Sequence, residues 1–467
     1  MNKNKMYFIG IGGIGMSALA RYFKHEGLTV AGYDRTPSSL TASLEAEGMD
    51  IHYGEDEVEL IPDEFKHNKD SVGVIYTPAV PAVNAEYRWF ADRGYEIIKR
   101  SAALGFVARN KKTLAVAGTH GKTTVSTLAA HLLTQAGDKG CTAFLGGIAK
   151  NYESNLLLSS SEWLVAEADE YDRSFLQLHP QAAVITSADA DHLDIYGTED
   201  ELRTSFAEFA SQVASDGALI LKQGIDLPLY SAGKQSPKCK IYHYSLDEVC
   251  DFYASNIRYW EGGRFIFDMH TPFGELFDCT LGIPARINIE NAVAASALAL
   301  YAGADPEKLK LALASFRGVK RRFDFYINTP ELVYLDDYAH HPEELKAAIL
   351  SLRGIFPGRR ITAIFQPHLY TRTRDFAAGF AKSLSLLDEL IMLEIYPARE
   401  LPIEGVSSKI IFDRVTASSK LMCSKDELLG ILAERNLDVL VTFGAGDIDR
   451  LTEPIFNQLK IKMDSGL

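Results

Sequence analysis

Short apolar runs alternate with amphipathic stretches through the first hundred or so residues: MYFIGI, a helical pattern through Phe23, LTVAGYD, a helical pattern from Leu40 to Glu47, then SVGVIYT and YEIIKR. Compact runs of this kind read as strands covered on both faces, and their alternation with helices predicts a doubly wound parallel sheet. A second segment, from about Lys111 to Arg322, opens on TLAVAG and continues through WLVAEADE, AAVITS and GALILK in the same style. From Lys240 to Ile283 the pattern changes to aromatic and β-branched runs broken by EGG and TPFG, which predicts a small antiparallel appendage. Helices are expected at Asn288–Ala302 and Pro306–Phe316, and the basic run Lys320, Arg321, Arg322 marks a boundary. Alternation returns in ELVYLDDYA, RRITAIFQP, ELIMLEIYPA and LDVLVTFGAGD. The expectation is an α/β chain of three domains: 1–109, Rossmann-like; 110–322, a central P-loop ATPase-like domain carrying the small antiparallel β appendage; and 323–467, again Rossmann-like.

Composition narrows this picture only at the margins. With 467 residues the chain exceeds what one core supports. Lys plus Arg 48 against Asp plus Glu 62 gives a net charge of -14, which argues against general nucleic-acid or anionic-membrane binding. Five cysteines without a CxxC pair suggest neither a zinc ribbon nor a disulfide framework, and fit a reducing cytoplasm. Lys3 and Lys5 before MYFIGIGGIGMSALA imitate a signal peptide, but Gly10, Gly12, Gly13 and Gly15 would spoil its helix and suit a strand-to-helix turn. No apolar run reaches the roughly 18 residues that span a bilayer. The expectation is an unprocessed cytoplasmic protein without membrane insertion.

The strongest chemical signal is TLAVAGTHGKTTVSTLAA, Thr113 to Ala130: a buried strand, a glycine-bounded turn and a helix. A helix start offers unpaired N–H groups and the positive end of its dipole to phosphate. Gly118 and Gly121 allow close approach across Thr119 and His120, Lys122 adds a mobile charge, and the Thr123 hydroxyl, followed by Thr124, suits a Mg²⁺ held between two phosphates. The motif is a shortened P-loop, since Val116 stands where the general pattern has glycine.

Acidic clusters follow the next two strands. EADEYD places Glu167, Asp169 and Glu170 where a carboxylate completes a Mg²⁺ shell begun by Thr123. SADADHLD gathers Asp191, His192 and Asp194. At the N-terminus, GIGGIG with Asp34 about 20 residues on is laid out like a dinucleotide site, yet this pattern also fits another nucleotide diphosphate or simple helix-on-sheet packing. The turn Gly12, Gly13, Ile14, Gly15, Met16 and Ser17 would offer backbone N–H groups to a diphosphate, with Asp34 facing ribose or uracil. Arg372 has the planar fork for a carboxylate. His368 and Arg374 flank it.

GTHGKTT, EADE, DHLD, NIENA, RRFD, DDYAHHPEE, QPHLYTRTRD and GAGD, in this order over nearly the full length, resemble the Mur ligase family of peptidoglycan synthesis. GIGGIGMSALA and QPHLYTRTRD are most similar to the member that uses L-alanine. The resemblance implies three domains, for UDP-sugar, ATP and amino acid, that work by closure. It further implies ATP-dependent joining of L-alanine to the lactyl carboxylate of UDP-N-acetylmuramate through an acyl phosphate. Lys122 and the cradle would serve the β and γ phosphates, Thr123 and Glu167 one Mg²⁺, and His192 a second. Asn288 and Asn291 match positions that recognise adenine; Arg322 and Asp337 match the phosphate-contacting arginine and the ribose-contacting acid. His368, Arg372 and Arg374 would receive alanine. The chain departs from the family pattern at Ile287, where His is usual, and at Leu369, where some relatives have Arg. His340 and His341 either position substrate or cap the helix that starts at Pro342. A monomer or weak homodimer is expected.

Other readings are a ligase of the same family that attaches a recycled tripeptide, a nicotinamide oxidoreductase built on GIGGIG and Asp34, and a nucleotide-binding regulatory module. The second of these leaves GTHGKTT, EADE and DHLD without a role.

Overall fold

The apolar runs of the first segment form five strands, β1 (Lys5–Ile9), β2 (Thr29–Asp34), β3 (Asp50–Tyr53), β4 (Val72–Tyr76) and β5 (Glu96–Lys99). They lie parallel in the order β3-β2-β1-β4-β5. The central β1 and β4 are buried almost throughout because helices cover both faces. The order reverses between β1 and β4, which opens a crevice at their carboxyl ends, beside the glycine-rich turn. The structure, a computed structural model, describes residues 3–54, 57–81, 83–189, 193–230, 236–260, 264–398 and 400–464, with backbone only at 193 and 194.

The second sheet has ten strands: β6 (Lys112–Ala117), β7 (Thr142–Ala149), β8 (Ser154–Leu157), β9 (Trp163–Glu167), β10 (Ala182–Ile185), β11 (Ala218–Lys222), β12 (Lys240–Ser245), β13 (Phe252–Tyr259), β14 (Phe265–Thr271) and β15 (Gly274–Thr280). Their order is β15-β14-β13-β12-β11-β10-β6-β9-β7-β8. Because β6 lies between β10 and β9, the turns after these three parallel strands open side by side. That adjacency brings GTHGKTT, EADE and the Thr186–Ser187 segment together. The strands expected as an appendage continue this same sheet, with parallel register from Tyr244 to Phe252 and an antiparallel β14–β15 pair at its edge.

The third sheet comprises β16 (Asp324–Asn328), β17 (Val333–Asp337), β18 (Ile361–Phe365), β19 (Glu389–Met392), β20 (Ser419–Met422) and β21 (Val439–Phe443), ordered β16-β17-β21-β18-β19-β20. Only β16 runs antiparallel to its neighbour. Three α/β domains thus correspond to three sheets. They fall into two compact units, one of 1–257, 266–282 and 289–317, the other of 258–265, 283–288 and 318–467.

In the first unit one apolar core runs from Phe8, Met16 and Leu19 to Phe144, Leu164 and Phe175, so the first two sheets share it, and another, with Tyr7, Phe65 and Phe90, lies on the other face of the first sheet. In the second unit successive residues of β18 point to opposite cores: Phe365 packs with Leu335 and Phe380, and Ile364 with Ile391 and Leu440. Among the described residues no helix is long and apolar enough to cross a membrane.

Candidate active site

The helix Lys122–Ala136 begins at Gly121, whose φ is +81°, and the turn before it begins at Gly118 with φ +134°. A Cβ on Gly118 would lie 2.1 Å from Thr186 Oγ1, so glycine is required there by both conformation and space. The neighbouring strand end braces this turn. Thr186 Oγ1 donates to the Ala117 carbonyl at 3.1 Å and also reaches the His120 carbonyl. The His120 N–H donates to Ser187 Oγ at 2.8 Å, and the Thr119 N–H to the Ser187 carbonyl at 3.3 Å. Two of the cradle N–H groups expected to face phosphate are therefore occupied by Ser187, while those of the helix's first turn, Lys122 to Thr124, lack partners within the helix by construction. Sequence reasoning passed over Thr186 and Ser187; small hydroxyl residues directly after the strand beside a phosphate loop are the signal that would have found them.

Lys122 Nζ donates to the Gly118 carbonyl at 2.6 Å and to Glu170 at 2.9 Å. Burial works against its charge, but Glu170, Asp169 and Glu167 outweigh burial and hold the ammonium well above its ordinary pKa. Thr123 Oγ1 donates to Glu167 Oε2 at 3.0 Å, the pairing expected of a Mg²⁺ site. Hard oxygens of a hydroxyl and a carboxylate suit Mg²⁺, which takes the remainder of its shell from phosphate and water. Gly146 on β7 makes room for this carboxylate: a Cβ there would stand 2.0 Å from Glu167 Oε2. Asp191 and His192 lie outside the described residues, as does the side chain of Asp194.

A cavity of about 270 Å³ extends from Glu167 and Asp169 to the glycine-rich turn at Gly13, Ile14 and Gly15, with Met16 and Gly146 also on its wall. The turn itself is tied down from within. The Gly12 N–H donates to Asp34 Oδ2 at 2.7 Å, so this N–H is not offered to a diphosphate and Asp34, expected to face ribose or uracil, is committed to the turn. Ser17 is buried; its hydroxyl donates to the Ile14 carbonyl at 3.0 Å and accepts from Asn155 at 2.9 Å, so it joins the first helix to β8 and is not open to ligand.

In the second unit the ends of β17, β21 and β18 lie side by side and carry DDYAHH, GAGD and QPHLYTRTRD. Asp337 accepts N–H groups from Phe323 at 2.7 Å and Ala339 at 2.8 Å; burial raises its pKa to about 6 against the pull of Arg322. Arg322 lies over the Tyr338 ring, 4.9 Å from its centroid, whereas Arg321 is fixed by Asp336 at 3.0 Å and the Gly444 carbonyl at 2.6 Å.

The two histidines separate in role. Glu344 accepts from the backbone N–H of both, and the His341 ring packs on Phe376 at the start of the helix Pro342–Ile355. His340 instead joins a row of rings, 5.2 Å from Tyr338 and 6.1 Å from His368, which stacks on Tyr396 at 5.8 Å. Arg372 Nη1 lies 3.5 Å from His368 Nδ1. Arg374 pairs with Asp375 at the surface, two residues along the same short helix and so on a different face from Arg372. Asn288 and Asn291 stand three residues apart on the helix Ile287–Tyr301; the Asn288 amide donates to the Pro284 carbonyl at 2.6 Å, and Ile287 is exposed.

Comparison with known proteins follows this layout. Residues 5–112 match the model of the Mur ligase family catalytic domain, 116–299 the Mur ligase middle domain and 321–446 the Mur ligase glutamate ligase domain. A UDP-N-acetylmuramate–L-alanine ligase of Parabacteroides distasonis is 54% identical over 460 residues, covering 97% of this chain and 98% of its own. The chain belongs to the Mur ligase family. Another member, a UDP-N-acetylmuramate–L-alanine ligase of Flavobacterium psychrophilum, is 46% identical over 465 residues, covering 99% of this chain and all (100%) of its own. Among solved Mur ligases, the UDP-N-acetylmuramate-alanine ligase of Thermotoga maritima superposes with a TM-score of 0.81 at 26% identity, covering 98% of this chain and 99% of its own. The murein peptide ligase of Psychrobacter arcticus shares the fold, with a TM-score of 0.72 at 22% identity over 97% and 98% of the two chains.

Proposed function

We propose that this Mur ligase joins L-alanine to the lactyl carboxylate of UDP-N-acetylmuramate, with ATP converted to ADP and phosphate, in cytoplasmic peptidoglycan precursor synthesis. Near-complete coverage of relatives so named, at 54% identity, carries the reading. The convergence of Lys122, Thr123 and Glu167 beside a cavity that ends on the glycine-rich turn agrees with it.

A carboxylate resists attack by an amine and must first be activated. A carboxylate oxygen attacks the γ-phosphorus, the bond to the bridging oxygen breaks, and ADP leaves. The alanine amine then adds to the acyl carbon, loses a proton, and the tetrahedral intermediate expels phosphate. The first step brings two anions together, so what the protein supplies is positioning and fixed positive charge. Lys122 and the N–H groups of its helix serve the phosphates. Thr123 and Glu167 would hold a Mg²⁺, which when bound neutralises phosphate charge. By similarity, His192 serves a second Mg²⁺, Asn288 and Asn291 the adenine, Arg322 and Asp337 the phosphate and ribose, and Arg372 with His368 the alanine carboxylate.

Phosphate release from ATP and Mg²⁺ with UDP-N-acetylmuramate tests this, with L-alanine, glycine, L-serine and the L-Ala-D-Glu-diamino-acid tripeptide offered singly and products weighed by mass spectrometry. Release with L-alanine and a product one alanyl residue heavier is expected. Turnover with tripeptide alone would make the chain a recycling ligase of the same family.

A further inference from the structure

We propose that Arg100 is the side chain that binds the diphosphate of the sugar nucleotide, an inference that rests on the reading above. Arg100 opens the helix Arg100–Ala108, directly after β5, and lies on the wall of the cavity between the glycine-rich turn and Glu167. Three observations point to an anion there.

Among the described residues, Arg100 brings the one positive side chain to a cavity wall whose other charges, Glu167 and Asp169, are both negative. An anionic ligand entering past two carboxylates needs that offset. Its guanidinium also stands against the start of the helix Ile14–His25. A Cβ on Gly15 would lie 2.7 Å from Arg100 Nη1 and 3.1 Å from its Cδ, so the missing side chain at 15 is what admits the arginine. That helix has Gly13 at its N-cap and no side-chain cap, so its first-turn N–H groups face the same space. Finally, among the described residues the Arg100 guanidinium is paired with Asp169, Nη2 to Oδ2 at 3.2 Å, with both side chains partly exposed. Such a pair is weak enough for a phosphate to displace, and the guanidinium fork then takes two phosphate oxygens. Arg100 stands between Asp169 and Gly15, whereas the lactyl carboxylate is activated beside Thr123 and Lys122, so the group left for the guanidinium at the start of the helix Ile14–His25 is the diphosphate.

Calorimetric titration of the full chain with uridine, UDP, UDP-N-acetylglucosamine and UDP-N-acetylmuramate tests this, with ATP as control. Arg100→Ala is expected to weaken the three diphosphates by about tenfold or more and to leave uridine and ATP unchanged. The salt dependence of UDP binding should become shallower. Arg100→Lys should recover part of the loss, which a merely structural arginine would not show. Unchanged UDP affinity in Arg100→Ala overturns the proposal, as does a loss confined to UDP-N-acetylmuramate, which would place the carboxylate on Arg100. Wild-type protein that binds no uridine nucleotide would overturn the sugar-nucleotide reading itself, and this inference with it.

Discussion

The Lys122 ammonium lies 2.9 and 2.8 Å from the two carboxylate oxygens of Glu170, whose side chain is 1% exposed. Burial opposes both charges: Lys122 keeps its proton because Glu170, Asp169 and Glu167 face it, and burial raises the Glu170 carboxyl against the pull of Lys122. The lysine proposed to serve the triphosphate is thus also one half of a buried ion pair with the turn after β9.

Lys122→Ala is expected to abolish ligation and, by stranding Glu170, to cost about 3–5 kcal/mol of stability. Adding Glu170→Gln should restore most of the melting temperature without restoring activity. UDP-sugar binding should survive in both. A single variant as stable as the wild type would show that Glu170 is relieved in some other way.

Gly146→Ala should act on metal use without replacing either residue proposed to hold the ion. The added methyl occupies the space of the Glu167 carboxylate and turns it from Thr123. The Mg²⁺ concentration for half-maximal phosphate release should rise about tenfold or more, with a matching loss in Mn²⁺ binding measured by electron paramagnetic resonance in the presence of ADP. If neither quantity moves, Glu167 does not hold the ion.

Asp337 and His340 should give opposite pH signatures. Burial lifts Asp337 from 3.8 to about 6, and burial lowers His340 from 6.5 to about 4, with Glu344 opposing and Arg372 assisting. As pH falls through this window, folded Asp337 takes up its proton before the unfolded chain does and the fold gains stability. His340 does the reverse, since the unfolded chain is protonated first. Relative to wild type, Asp337→Asn should lose stability on acidification and His340→Asn should gain it, each by on the order of 1–2 kcal/mol after allowance for partial exposure. Urea unfolding across the window reads both slopes; parallel slopes would refute the assignment.

Arg372→Ala should raise the KM for L-alanine at least about tenfold, as expected for loss of a charge-assisted contact, with the KM for ATP little changed. Arg374→Ala, with its side chain already paired to Asp375, should leave the alanine KM alone. Steady-state kinetics with each substrate varied in turn separates the two, and an effect of equal size from both would move the carboxylate contact.

The alternation of apolar runs was enough to expect three parallel α/β sheets, because strands covered on both faces leave a plain trace. GTHGKTT and EADE were legible for a similar reason: special backbone and charged side chains fall at fixed points after strands. Thr186, Ser187 and Gly146 were not, because each matters through strand order, with β10 and β9 flanking β6 and β7 next to β9, and Arg100 was not, because it matters through contact with Asp169 of another sheet's turn. Adjacency of that kind leaves no local mark at Gly146, and at Thr186 and Ser187 only a pair of small hydroxyl residues after a strand. Asp34 shows the converse, a residue in a suggestive position whose carboxylate is occupied by the turn it follows.

The helix Ile14–His25 completes its burial on β7 and β8: Asn155 donates to the Ile14 carbonyl and to Ser17, Arg21 donates to Asn155, and the Tyr22 ring lies 5.5 Å from Phe144. A chimaera that exchanged the first domain at residue 110 would therefore cut through a core. Recombination between relatives should be tolerated only when positions 14 to 23 travel together with 144 and 155, which makes the first two sheets one heritable module.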